Sequence, residues 1–152
     1  MLQKNLIVKN LKINYYQSDI LDKNNVLVFL HGWGSESTHF SKTLEKCGNF
    51  IAIDLPGFGE SDMLKEVWNI KDYADFLKSF LEKLEIKNPI LAGHSFGGSI
   101  IIKYCAKGGA AKKIILIASS GIRQKPIKIY FYIFLAKLGK LFFSIPGLNL
   151  IQ

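Results

Sequence analysis

Cysteine is scarce, acid disappears after Glu85, histidine disappears after His94, and no long apolar run occurs anywhere in the 152 residues. Cys47 and Cys105 are the only cysteines and stand far apart. That excludes a disulfide scaffold, fits a reducing, cytoplasmic compartment, and leaves both to be read as small core residues. No uncharged apolar stretch approaches the roughly 18 residues of a membrane span. Met1 to Asn14 carry Lys4, Lys9 and Lys12 without an apolar run of leader length, so no secretory signal is expected. Internal repeats and low-complexity tracts are absent. With 49% apolar and 21% charged residues the composition is that of a globular chain, able to bury enough surface to offset its ordering entropy, which excludes disorder. The length fits one domain, or part of one, at roughly 100–200 residues each.

The missing acids make the charge lopsided. Residues 1–85 hold ten lysines against twelve acids, whereas residues 86–152 hold nine lysines and Arg123 against none. Such a basic half invites comparison with nucleic-acid or membrane binders. Its lysines are scattered over strand, helix and loop without a recognition motif, so no nucleic acid is expected as a partner. Nucleotide-binding loops are absent too. Gly57-Phe-Gly59 is followed by Glu60, Ser61 and Asp62, and Gly93 to Ser99 contains no lysine. No cofactor and no metal are expected.

Four short apolar runs, Val26–Leu30, Phe50–Ile53, Pro89–Ala92 and Ile114–Ile117, are continuous rather than alternating, as in strands buried on both faces of a parallel sheet. Leu6 to Tyr16 alternates and reads as one or two antiparallel strands at an edge. Ile70, Tyr73, Ala74, Leu77, Leu81 and Leu84 repeat at helical spacing, with Asn69 as N-cap and Asp72 in the first turn. Residues 96–107 form a further helix and 37–47 a weaker one. Strand–helix alternation of this kind predicts an α/β fold.

The chemistry lies where strands end. Gly93-His94-Ser95-Phe96-Gly97-Gly98 follows an apolar strand and opens a helix, the context of a nucleophile elbow. There a serine sits on a strained turn, so that Oγ projects above the sheet while Gly93 and Gly97 let the neighbouring backbone pass closely, with Gly98 completing the elbow. His94, beside Ser95 in sequence, points elsewhere off the strand end. His31-Gly32-Trp33-Gly34 follows Val26–Leu30. In acyl transfer a backbone N–H from such a loop joins the N–H after the nucleophile to hold the oxyanion, which names Trp33 and Phe96 as donors. His31 is read as shaping the loop. Asp54-Leu-Pro-Gly-Phe-Gly-Glu-Ser61 follows Phe50–Ile53, and Asp54 is read as fixing that loop.

The order H-G-W-G, D-L-P-G-F-G-E-S, G-H-S-F-G-G resembles the α/β-hydrolase superfamily, its esterase-like and haloperoxidase-like members in particular, over residues 5 to about 122. The resemblance implies a serine hydrolase acting on a small-molecule acyl substrate, with Ser95 as nucleophile. It implies a mostly parallel sheet, residues 1–121 as the N-terminal part of the core, and residues 122–152 as the start of a helical cap. The family's triad continues with Asp or Glu and then His, and this chain has neither after Ser95. The expectation is therefore a portion truncated after about six strands, with Ile114–Ile117 left as a bare edge and no ordinary turnover on its own. Two other readings stay open: an inactive half acting by association with a separate C-terminal half, and a membrane-surface module built on Lys128, Lys137, Lys140 and their aromatic neighbours. A cap helix over 128–143 accounts for that last composition better.

Overall fold

The computed structural model describes residues 1–119. The expected cap, the helix over 128–143 and the boundary at 121/122 lie outside the described residues. Six strands, β1 (Leu2–Val8), β2 (Leu11–Gln17), β3 (Leu27–Leu30), β4 (Phe50–Ile53), β5 (Ile90–His94) and β6 (Lys113–Ile117), form one sheet in the order β1-β2-β4-β3-β5-β6. The first two pairings, β1 with β2 and β2 with β4, are antiparallel, and β4-β3-β5-β6 run parallel. The chain is α/β, with the mostly parallel sheet that the alternation of elements predicts.

The edge hairpin is local in origin. Lys9 and Asn10 join β1 to β2 with φ of 51° and 61°, the two left-handed residues whose twist matches that of the strands they connect. Helix α1 (Ser41–Glu45) follows a 3-10 turn at Ser37–Phe40, so the weak helix over 37–47 is real but broken. Helix α2 (Ile70–Lys83) starts in a capping box: Asn69 Oδ1 accepts from the Lys71 N–H at 2.8 Å, and Asp72 Oδ2 accepts from the Asn69 N–H at 2.9 Å. Helix α3 (Phe96–Ala106) follows β5 directly.

The apolar runs divide between two cores by strand parity. Val28 and Leu30, Ile51 and Ile53, and Leu91 face the larger cluster, where α2 contributes Tyr73, Phe76, Leu77, Phe80 and Leu81, and α3 contributes Ile100, Ile101 and Tyr104. Phe29, Phe50, Ala52 and Ala92 face the opposite cluster with Leu44 of α1. Runs without polar interruption are what two covered faces require, and each large side chain fully removed from water contributes about 1.5–3 kcal/mol.

Two expectations fail at the periphery. β6 is not buried on both faces: Ile114 to Ile117 are each 37–45% exposed, because β6 pairs with β5 alone and its outer edge meets no described strand. Cys47 is not a core residue. It leaves the end of α1 on the solvent side, with Sγ directed at the Thr43 carbonyl. Cys105 is half-buried, and burial pushes its thiol pKa up.

Candidate active site

Ser95 joins β5 to α3 with φ 49° and ψ −110°. A serine held there is strained, and the surroundings over-determine it. The Ser95 N–H donates to the Ile117 carbonyl at 2.9 Å, which ties the turn to the end of β6. A Cβ on Gly93 would meet the backbone of Gly97 and Gly98, one on Gly97 the carbonyls of Leu30 and His31, and one on Gly98 the Ser119 hydroxyl. The glycines thus let α3 begin directly against β5 and the end of β3. Ser95 Oγ forms no hydrogen bond among the described residues.

The Gly32–Gly34 loop lies against this turn. A Cβ on Gly32 would stand 3.3 Å from Ser95 Cβ and 3.0 Å from His94 Nδ1. Trp33 and Gly34 are the middle pair of a tight turn closed by the Ser35 N–H on the Gly32 carbonyl at 3.2 Å, with φ +69° at Gly34, a value glycine adopts without cost. The amide N–H groups of Trp33 and Phe96 have no acceptor among the described residues. Phe96 is the first residue of α3, where helical amides have no partner within the helix and the dipole is positive. The rings of Trp33 and Phe96 meet edge to face at 5.2 Å.

Asp54 is 1% exposed and surrounded by donors. Its Oδ1 accepts from the Ser37 N–H at 2.8 Å, and Oδ2 from Asn14 Nδ2 at 2.9 Å and the Glu60 N–H at 3.1 Å. Ser61 Oγ donates to the Asp54 carbonyl at 2.7 Å. With both oxygens engaged, the carboxylate is a strut between the loops after β3 and β4 and the strand β2.

No histidine forms a hydrogen bond with Ser95 among the described residues. His31 is fully buried, and both ring nitrogens are engaged: Nδ1 donates to the Gly32 carbonyl at 2.7 Å, and Nε2 accepts from the Leu55 N–H at 3.0 Å. His39 Nδ1 pairs with Ser35 Oγ at 3.1 Å. His94 Nδ1 is buried without a hydrogen-bond partner among the described residues, and its ring lies 5.5 Å from that of Phe40.

Burial holds the His31 pKa below the ordinary value of 6.5, since the charged ring would lose hydration and could not accept from Leu55. A lowered pKa in the folded state makes the stability contribution complete above pH 6.5 and lost as pH falls below it. Urea midpoints at about pH 7 and about pH 5 should show the drop in the native chain and a smaller one in His31→Gln, whose side chain does not titrate.

Asn14 was not legible as part of the site. It occupies a polar position of an alternating strand, which reads as solvent-facing, yet it is fully buried because β2 is paired on both sides. Ser37 carried no motif of its own, and Phe58 was quoted only as part of the Asp54–Ser61 loop without a role. A cavity of about 760 Å³ between the C-terminal ends of α2 and α3, lined by Asp75, Leu81, Tyr104 and Lys107 among others, does not include Ser95. Among the described residues no cluster of His, Cys, Asp and Glu could hold a metal, and no helix is long and apolar enough to cross a membrane.

Comparison with known proteins gives a consistent result. The AB hydrolase superfamily protein YisY of Bacillus subtilis is 34% identical over 143 residues, covering 78% of this chain and 53% of its own length. A pimeloyl-[acyl-carrier protein] methyl ester esterase of Pseudoalteromonas atlantica is 35% identical over 104 residues, covering 64% of this chain and 38% of its own. Among solved structures, a lipase candidate from Acinetobacter baumannii superposes with a TM-score of 0.76 at 26% identity, over 96% of this chain and 50% of that one. The chain spans about half the length of YisY and less of other curated relatives. The model of the alpha/beta hydrolase family matches residues 27–149, and with the sheet order and the three strand-end loops described above, the chain belongs to that family.

Proposed function

We propose that the chain is the nucleophile-bearing part of a serine hydrolase acting on a carboxylic ester or related acyl compound. The observation that carries this reading is the left-handed Ser95 at the β5–α3 joint beside two amides that lack acceptors. Ser95 Oγ attacks the carbonyl carbon as its proton passes to solvent hydroxide, and the C=O electron pair becomes the oxyanion. The N–H groups of Trp33 and Phe96 hold that charge, with the N-terminus of α3 adding its dipole. Collapse of the adduct expels the leaving group and leaves an acyl-serine for water to cleave. The esterase and lipase names among the relatives support an ester. The two separate cysteines suit a reducing, cytoplasmic setting.

His31 and His39 are engaged elsewhere, His94 makes no hydrogen bond to Ser95 among the described residues, and no histidine follows it, so in this reading the proton goes to solvent hydroxide rather than to an imidazole. A positioned base contributes roughly a hundred- to ten-thousand-fold in rate. The test is slow labelling of the chain with a fluorophosphonate across a pH series, read by peptide mass. A single adduct on Ser95 is expected, absent in Ser95→Ala, with a rate that climbs with hydroxide and does not level off in the imidazole range. An adduct elsewhere, or none, removes Ser95 as nucleophile. A plateau near pH 6.5–7 means that a histidine acts as base after all.

A second reading is favoured by the outer edge of β6, which no strand among the described residues covers. Here the chain works with another polypeptide that pairs along this edge and brings an acid and a histidine to Ser95. Unpaired N–H and C=O groups on an apolar strand are a template for such pairing.

A further inference from the structure

The Trp33 side chain is 68% exposed, a large apolar surface in water directly beside the proposed nucleophile. Its ring is not loose. It meets Phe58 at 5.0 Å and Phe96 at 5.2 Å, both nearly perpendicular, and Phe96 in turn meets Tyr73 at 5.0 Å. Tyr73 is buried and its hydroxyl donates to the Pro56 carbonyl at 3.1 Å, so the row is anchored in the fold. The two residues whose amides lack acceptors therefore also carry aromatic rings in mutual contact. The loop that carries Trp33 packs against the Ser95 turn, a Cβ on Gly32 standing 3.3 Å from Ser95 Cβ, and Phe96 follows Ser95 directly. Each ring contact of Trp33 among the described residues is with another apolar ring, and no ion pair involves these residues.

We infer that Trp33, Phe58 and Phe96 form the binding wall for an uncharged aromatic group attached to the scissile carbonyl, which makes the substrate class aryl or arylalkyl carboxylic esters. The inference rests on the reading of Ser95 as nucleophile. The physical reason is that edge-to-face and offset aromatic contacts add to the burial of apolar area, whereas a charged acyl group would lose hydration against the rings and meets no ionic partner on them among the described residues.

The test is binding, read from tryptophan emission of the full chain in Trp68→Phe, which leaves Trp33 as the sole indole. Methyl benzoate should quench and blue-shift the emission, methyl cyclohexanecarboxylate should bind more weakly, and monomethyl succinate should leave the spectrum unchanged. In the chain with both tryptophans, Trp33→Ala should raise the methyl benzoate Kd about tenfold by calorimetry, equivalent to about 1.4 kcal/mol, and Trp33→Phe should restore most of it. Equal binding of the three esters, or an unchanged Kd in Trp33→Ala with the far-UV spectrum intact, overturns the inference. Ser95→Ala should bind methyl benzoate as the native chain does. Binding without labelling of Ser95 thus sinks the nucleophile reading alone, and labelling without aromatic preference sinks the wall alone.

Discussion

Replacing Gly97 by alanine is expected to destabilise the chain by about 3 kcal/mol, at the upper end for one methyl group forced into a packed interior. The new Cβ would meet the Leu30 carbonyl oxygen and stand 2.7 Å from the His31 oxygen and the Leu30 carbonyl carbon. All of these are main-chain atoms at the end of β3, a strand clamped between β4 and β5, so none can turn aside as a side-chain tip would. Relief requires α3 to move off the sheet, and with it the Phe96 N–H and the Ser95 turn. Gly48→Ala is the control. Its φ is +76° and nothing lies within 4 Å of the added carbon, so the cost is conformational only, about 1–2 kcal/mol. Urea midpoints for both variants check the contrast, and equal losses would mean that the α3–β3 contact yields easily.

Asp54→Ala should cost about 3–5 kcal/mol, the range for a buried ionic hydrogen-bonding centre removed from one side. Three donors would lose their acceptor at once: Asn14 Nδ2 and the N–H groups of Ser37 and Glu60. Each stranded donor costs about 1–3 kcal/mol. Asp54→Asn keeps the volume and one acceptor oxygen, and should lose roughly half as much. The loss in Asp54→Ala should be shared with Asn14→Ala in a double-mutant cycle, with a coupling of about 1–3 kcal/mol. Chemical denaturation of the four proteins measures it, and strict additivity would remove the strut role.

What was legible follows from how tightly each feature is constrained. The Ser95 turn could be read because strand, glycines and helix must all coincide for it to exist, and His31 and Asp54 because their loops sit at strand ends. The Asn69 box and the helix behind it were legible from local chemistry alone. Cys47 and Asn14 were not, for opposite reasons. A small thiol at a helix end carries no direction, and a polar residue in an alternating strand signals solvent unless a second strand covers it, which here depends on β4 arriving some forty residues later. The apolar run of Lys113–Ile117 reads like that of its covered neighbours, so its composition suggests burial on both faces, and the bare edge was expected only from the resemblance, which implies further strands beyond it.

The sheet order also sets the sequence of events during synthesis. The β1–β2 hairpin closes through two residues and can form within roughly 1–10 μs of leaving the ribosome. β3 is made next but has no place beside it, because β4 occupies the position against β2. Val28, Phe29 and Leu30 must therefore wait in water until β4 emerges, and the other flank of β3 stays open until β5 is made about sixty residues after it. The strand that carries the Gly32–Gly34 loop is thus sealed on both sides later than β2 and β4, and of the four inner strands only β5, which waits for β6, follows it. Slow folding of this kind is expected where pairings are far apart in sequence. The nascent chain's most vulnerable interval lies between the translation of β3 and that of β5.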